Sequence, residues 1–194
     1  METRVYIFAG FLDSGKTSFI NDTLMNPDFY SEEDTLLISF EEGEVAYNDI
    51  YLKKSNTSLV TLDFENFTTY DLKHLELEYR PTQIMIEANG MMDLNIFVKE
   101  TIPENWKVVQ VLTTFDTTTF SMYLNNMRSL VYSQVVFSDL VIFNRYDPNI
   151  RKSMLRNNIK AINSNAQIIY ELANGTIDTM NPEEELPLIL IKNI

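Results

Sequence analysis

Apolar positions along this chain fall into short runs separated by polar stretches compatible with helix. Residues 5–9 (VYIFA) have the composition of a buried strand, and the run breaks at Gly10. A helical pattern resumes after Gly15, fills 17–25 and stops at Asn26-Pro27. Residues 35–40 (TLLISF) form a second buried run, and the alternation in 59–64 (LVTLDF) suits a strand near a sheet edge. Residues 68–79 mix helical and alternating spacing; their length and good helix formers favour a helix, ended by Pro81. Residues 83–88 (QIMIEA), 106–112 and 140–143 (LVIF) read as strands, and 166–171 (AQIIYE) as the strand that closes the sheet. The stretch 116–137 is too long for one helix under one apolar stripe, so a bend is expected near Arg128-Ser129. Residues 149–163 predict a helix begun by Asp147-Pro148, with Arg151, Lys152, Arg156 and Lys160 on a solvated face. This alternation predicts an α/β fold of three layers, a mostly parallel central sheet with helices on both faces.

The break after the first strand carries the chemistry. Gly10, Gly15, Lys16 and Thr17 stand in G-x-x-x-x-G-K-T spacing between a strand and a helix, the context that a P-loop NTPase requires. The glycines let backbone N–H groups approach phosphate oxygens, and the loop between them brings Asp13 and Ser14 alongside. Lys16 places a compact charge between outer phosphates, Thr17 offers a hydroxyl to Mg²⁺, and Ser18 opens a helix whose positive end faces the anion. An ordinary glycine-containing turn is the plainer alternative.

Composition narrows the partners. With 194 residues the chain is one domain by size, and its net charge of −13 repels nucleic acid. That charge leaves bound polyphosphate dependent on local devices: backbone N–H groups, Lys16 and a metal ion. The absence of cysteine excludes disulfides, thiolate zinc sites and cysteine catalysis. His74, the only histidine, sits in a polar stretch and reads as solvated. The N-terminal apolar run is short and interrupted by Asp13, so neither a signal peptide nor a membrane span is expected, and the setting reads as cytoplasmic.

In an open α/β sheet, ligands collect at the carboxyl ends of the strands. Those ends carry Glu41-Glu42-Gly43-Glu44, Glu87-Ala88-Asn89-Gly90, Asp116 and Asn144-Arg145-Tyr146-Asp147. Glu41 and Glu87 suit Mg²⁺ coordination, often through water, and Gly90 offers an N–H to a terminal phosphate. Guanine presents an N1–H and an amine that the Asp147 carboxylate can accept; adenine would leave that carboxylate unpaired. Asn144 would hold the loop and reach the purine, and Arg145 could stack on it. A polar turn begun by Asp-Pro is the alternative for these residues.

Together these segments resemble the CobW-type P-loop GTPases of the SIMIBI class, from about residue 4 to 177. GFLDSGKTSFI is similar to the family's G-F-L-x-x-G-K-T-T loop, FEEGE to its N-E-F-G-E segment, and IEANGMMD to I-E-[ST]-[ST]-G-x-x-[DE]. QVVFSDLVIFNRYD is similar to Q-I-x-x-A-D-x-I-x-x-N-K-x-D, and INSNAQII to I-N-P-x-A-x-I. The resemblance implies GTP and GDP as ligands, Mg²⁺ as cofactor, slow hydrolysis, a protein client and a nucleotide-dependent dimer. It places Glu41 at the acidic switch position, and Glu87 and Gly90 in the metal-water and terminal-phosphate roles. The chain departs from the pattern in lacking the C-x-C-C metal motif within 51–81 and the usual C-terminal domain. It also carries Asp13 beside the phosphates, Phe40 for the switch asparagine and Arg145 for the usual lysine. A nucleotide-holding module without hydrolysis, and a P-loop ATPase or kinase, stay open. The expected domain spans 1–180, and the apolar run 186–191 in the remaining tail pairs with the sheet, meets a partner or begins another domain.

Overall fold

The computed structural model describes residues 2–26, 33–41, 43 and 45–179, with side chains of 178 and 179 left aside. The chain runs β1 (Thr3–Gly10), α1 (Lys16–Met25), β2 (Thr35–Ser39), α2 (Asp49–Lys54), β3 (Thr57–Thr61), α3 (Thr69–Tyr79) and β4 (Gln83–Glu87). It continues with α4 (Leu94–Ile96) leading into a π-helical turn (Phe97–Thr101), then β5 (Trp106–Asp116), α5 (Thr117–Asn126), α6 (Arg128–Val135) and β6 (Leu140–Tyr146). Last come α7 (Lys152–Ile162), β7 (Gln167–Leu172) and β8 (Ile177–Thr179). The sheet order is β3-β2-β4-β1-β5-β6-β7-β8. All pairings are parallel except that of β8 with β7.

A central parallel strand is covered on both faces, so its residues are apolar without a gap. In β1, Val5, Ile7 and Ala9 join one cluster with Leu36, Ile38, Ile84, Ile86, and Leu72 and Leu75 of α3. Tyr6 and Phe8 point the other way, toward Ile20 and Leu24 of α1 and Leu52 of α2. A third cluster packs Phe115, Phe120, Val131, Val135, Phe143, Leu155 and Ile159 between the second half of the sheet and α5 to α7. Each such buried aliphatic or aromatic side chain contributes about 1.5–3 kcal/mol.

Several element boundaries differ from expectation, each for a local reason. β5 runs on to Asp116 because Thr113 and Thr114, polar by type, are buried there. The Thr113 hydroxyl donates to the Gln134 carbonyl at 2.8 Å, so burial leaves it satisfied. The bend expected near Arg128-Ser129 falls at Met127, where φ is −134° and α5 gives way to α6. Helix α7 starts at Lys152 because Asp147 first makes a turn, its Oδ1 accepting from the Asn149 N–H at 2.8 Å. β3 lies two residues earlier than expected at its start and ends at Thr61, on the sheet edge. β7 does not close the sheet, because β8 pairs beyond it. The apolar run at 186–191 lies outside the described residues.

Parallel pairing brings the carboxyl ends of the strands to one edge. Phe8 and Ser39 both stand opposite Glu87, Gly10 opposite Thr114, and Asp116 opposite Asn144. That edge holds the site.

Candidate nucleotide-binding site

The loop from β1 to α1 is shaped by backbone that favours glycine. Gly10 and Gly15 have φ of 131° and 98°, and Asp13 adopts 57°. A Cβ on Gly10 would overlap the Thr114 carbonyl and the Ser14 hydroxyl, and one on Gly15 would overlap the Asn144 amide. Gly10 and Ser14 are structural parts of the loop, one layer behind its surface. The Gly10 N–H donates to Gln134 Oε1 at 2.9 Å, and the Ser14 and Thr114 hydroxyls share a hydrogen bond of 2.8 Å.

Lys16 is 2% exposed, a cost in desolvation that three acceptors offset. Its Nζ donates to the carbonyls of Gly10 (2.9 Å) and Phe11 (2.8 Å) and lies 2.6 Å from Glu41 Oε2. The other oxygen of Glu41 accepts from the Gly90 N–H at 3.1 Å. Gly90 sits tightly: a Cβ there would be 2.7 Å from the Leu12 nitrogen.

Glu87, 1% exposed at the end of β4, is surrounded by hydroxyl donors, as a buried carboxyl group requires. Its Oε1 accepts from the Thr17 hydroxyl at 2.5 Å, and its Oε2 from Ser39 (2.6 Å) and Tyr47 (2.5 Å). Burial first, and then the Glu87 charge, push the Tyr47 hydroxyl far above the usual phenol range, so it remains a proton donor.

Lys16, Thr17 and Glu41 border a cavity of about 270 Å³, lined also by Asp13, Gly15, Ser18, Gly43, Val45 and Arg145. Helix α1 starts at its wall with no side-chain cap and no acidic residue in its first turn, which leaves its first N–H groups to an anion. Thr17, Glu41 and Glu87 supply only oxygen donors, the set that suits a hard cation such as Mg²⁺. The residues fit a nucleotide phosphate with its metal ion. Among the described residues no group of three or more His, Cys, Asp or Glu is arranged for a metal ion on its own.

A second cavity, about 260 Å³, adjoins the first through Gly15, Ser18 and Arg145, and is also lined by Phe19, Asp22, Thr114, Ile142, Asn144 and Glu171. Here the expected base-reading residues are only partly gathered. Asn144 turns its amide N–H to the Ser14 carbonyl, and Arg145 (φ 49°) donates to the Asp13 carbonyl and pairs with Asp116 at 3.1 Å. Asp147 lines neither cavity, and its Oδ1 accepts from the Asn149 N–H and side-chain amide. Two carboxylates outside the expected set face this cavity. Burial raises Asp22, and burial followed by the charge of Asp22 raises Glu171, while Arg145 opposes that rise.

Ser39, Tyr47, Gln134 and Glu171 were not expected site residues. Ser39 had a signal, as the polar residue ending an apolar strand just before a carboxylate. Tyr47 and Glu171 reach the site through loops and strand ends, where no sequence period marks them.

The sheet topology, the strand–loop–helix turn and the buried lysine define a P-loop nucleotide-binding domain. A family model described as CobW/HypB/UreG, nucleotide-binding domain, matches residues 4–170. The chain belongs to that family. No curated protein matches it. Among solved structures, the Zn(II)-bound YjiA GTPase from E. coli has a TM-score of 0.62 at 21% identity, over 92% of this chain and 60% of that one. The hydrogenase maturation factor HypB from Archaeoglobus fulgidus has 0.62 at 15% identity, over 89% and 82%. FlhF complexed with GMPPNP/Mg(2+) has 0.57 at 14%, over 94% and 72%. These likenesses are of fold, and this chain spans about 60% of the YjiA chain.

Proposed function

We propose that the chain binds a guanine nucleotide with Mg²⁺ and hydrolyses GTP slowly, as a switch that engages a protein client. The observation that carries this reading is the convergence of Lys16, Thr17 and Glu41 on one small cavity at the start of α1, with the Gly90 N–H bonded to Glu41 behind it. Lys16 and the α1 N-terminus would hold the outer phosphates. The Thr17 hydroxyl and Glu87 would hold Mg²⁺, which supplies charge neutralisation at the phosphates when bound, while Glu41 would yield Lys16 and the Gly90 N–H to the terminal phosphate. Ser39 and Tyr47 fix the Glu87 carboxylate as an acceptor, so that it orients the Thr17 hydroxyl.

The preference for guanine rests on Asn144, Arg145 and Asp147, with the Asp147 carboxylate exposed and three residues beyond Asn144. A client is in keeping with the family, in which HypB is a hydrogenase maturation factor. The nucleotide domain would span 1–180, a range supported by the family match over 4–170.

A second reading is a module that holds nucleotide without turnover. It is favoured by the engagement of both site carboxylates: Glu41 by Lys16 and the Gly90 N–H, Glu87 by the Thr17, Ser39 and Tyr47 hydroxyls. Phosphate release from GTP, followed over hours with and without Mg²⁺, separates the two. Mg²⁺-dependent release that Lys16→Ala removes supports hydrolysis. Bound GTP recovered intact supports the holding module.

A further inference from the structure

Beside the phosphate cavity, at the carboxyl ends of β2 and β3 and just past β4, lies a groove of about 740 Å³. Phe40, Leu62, Phe64 and Met91 give it apolar surface, and Glu41, Asp63 and Glu65 give it carboxylates. Among the described residues no lysine or arginine lines it. Phe40 is wedged against Phe67 and Phe97, with ring centroids 4.4 and 5.8 Å away, so that part of the floor is rigid. Met91 is 56% exposed, and its flexible thioether chain can shape itself to an inserted side chain. Hydrogen bonds from the Asn66 amide and the Glu65 N–H hold Asp63 below the usual carboxylate range, so it stays charged.

Glu41 lines both this groove and the phosphate cavity. Its carboxylate takes the Lys16 ammonium and the Gly90 N–H, the two donors that a terminal phosphate takes in the proposed function. Two anions cannot share those donors at close range without strong repulsion. A phosphate that wins them turns the Glu41 carboxylate out, and the groove is the space on its other side.

We propose that this groove docks a partner segment in which a lysine or arginine neighbours an apolar side chain, and that nucleotide strengthens the docking by releasing Glu41 from Lys16 and Gly90. Charge complementarity selects this occupant. An acidic partner is repelled, and a second copy of the same face would bring the same carboxylates into opposition. The nucleotide dependence rests on the proposed function; the docking itself does not.

The test uses the full chain and a fluorescein-labelled peptide of alternating arginine and leucine, with arginine–serine and glutamate–leucine counterparts. Anisotropy should show the counterparts binding at least about tenfold more weakly. The Asp63→Asn/Glu65→Gln variant should lose about fivefold or more in affinity. Glu100→Gln/Glu104→Gln, which removes the same charge from exposed positions outside the groove, should lose less than about twofold. GMPPNP with Mg²⁺ should tighten peptide binding several-fold, and this gain should be absent from Glu41→Gln at saturating nucleotide. Equal losses in the groove and control variants would mean diffuse attraction to an acidic protein and would overturn the docking site. Peptide affinity unmoved by GMPPNP, in a sample whose melting temperature shows the nucleotide bound, would overturn the link through Glu41. A sample with no such melting shift speaks against the nucleotide reading, and the groove is then decided by the two charge variants alone.

Discussion

On the phosphate side of the site, Lys16, Glu41 and Gly90 form one bonded set and Thr17 and Glu87 another, joined through the Ser39 hydroxyl, which meets the Glu41 carbonyl and Glu87. On the base side, Asn144 and Arg145 are turned back to brace the phosphate loop, and Asp147 stands outside both cavities with its carboxylate on Asn149. The difference follows from how each half is built. A phosphate cradle is one contiguous strand–loop–helix turn, fixed by backbone geometry and two glycines. A base pocket is assembled from side chains of β6, β7 and α1, each of which can find a nearer partner first.

The comparison breaks most visibly at Gly10. Gly10→Ala, with φ at 131° and its Cβ driven into the Thr114 carbonyl, should cost about 2–4 kcal/mol of stability in denaturant titration. Tolerance of that change would mean that the cradle is not held by its backbone. On the other side, Asp147→Asn should narrow the preference for GDP over ADP by about 1–3 kcal/mol in calorimetry. Asn149→Ala, which frees the Asp147 carboxylate from the Asn149 amide, should widen it. If neither variant moves the preference, the base is read from inside the second cavity, where Glu171 and Asp22 are the available carboxylates.

The glycine and lysine spacing announced the cradle, because its geometry is local and backbone-driven. Apolar runs announced the central strands, since a strand covered on both faces has no polar side to confuse the period. The extension of β5 through Thr113 and Thr114 was hidden, because buried threonines look polar until their hydroxyls find Gln134 and Ser14. Tyr47 was hidden for a different reason: it meets Glu87 only through the fold, 40 residues apart. The short helices α2 and α4 carry too few residues to show a period.

A smaller effect is expected at Asp13, which lines the phosphate cavity and whose backbone is left-handed at φ 57°. Asp13→Gly should stabilise the fold by up to about 1 kcal/mol and tighten nucleotide binding, more so at low salt. Equal or weaker binding by the variant would mean that the carboxylate is turned away from the phosphates.

The smallest effect concerns pH on the base side. Asp22 and Glu171 have raised carboxyl pKa values, so the folded chain holds their protons more tightly than the unfolded chain does. Their protonation supports the fold at acid pH, and that support is lost as pH rises from the ordinary carboxylate range through the raised values. Glu171→Gln should therefore raise the melting temperature slightly at pH 7, relative to wild type, and lose that advantage near pH 4. An advantage that does not vary with pH would point to packing rather than charge.

The account as a whole turns on whether the Lys16 cavity holds guanine nucleotide. The direct measurement is the melting temperature of wild type and Lys16→Ala with GTP, GDP, ATP and ADP, each with Mg²⁺. The account predicts a larger rise with guanine than with adenine nucleotides in the wild type, and none with any nucleotide in Lys16→Ala. An unchanged rise in Lys16→Ala would contradict it.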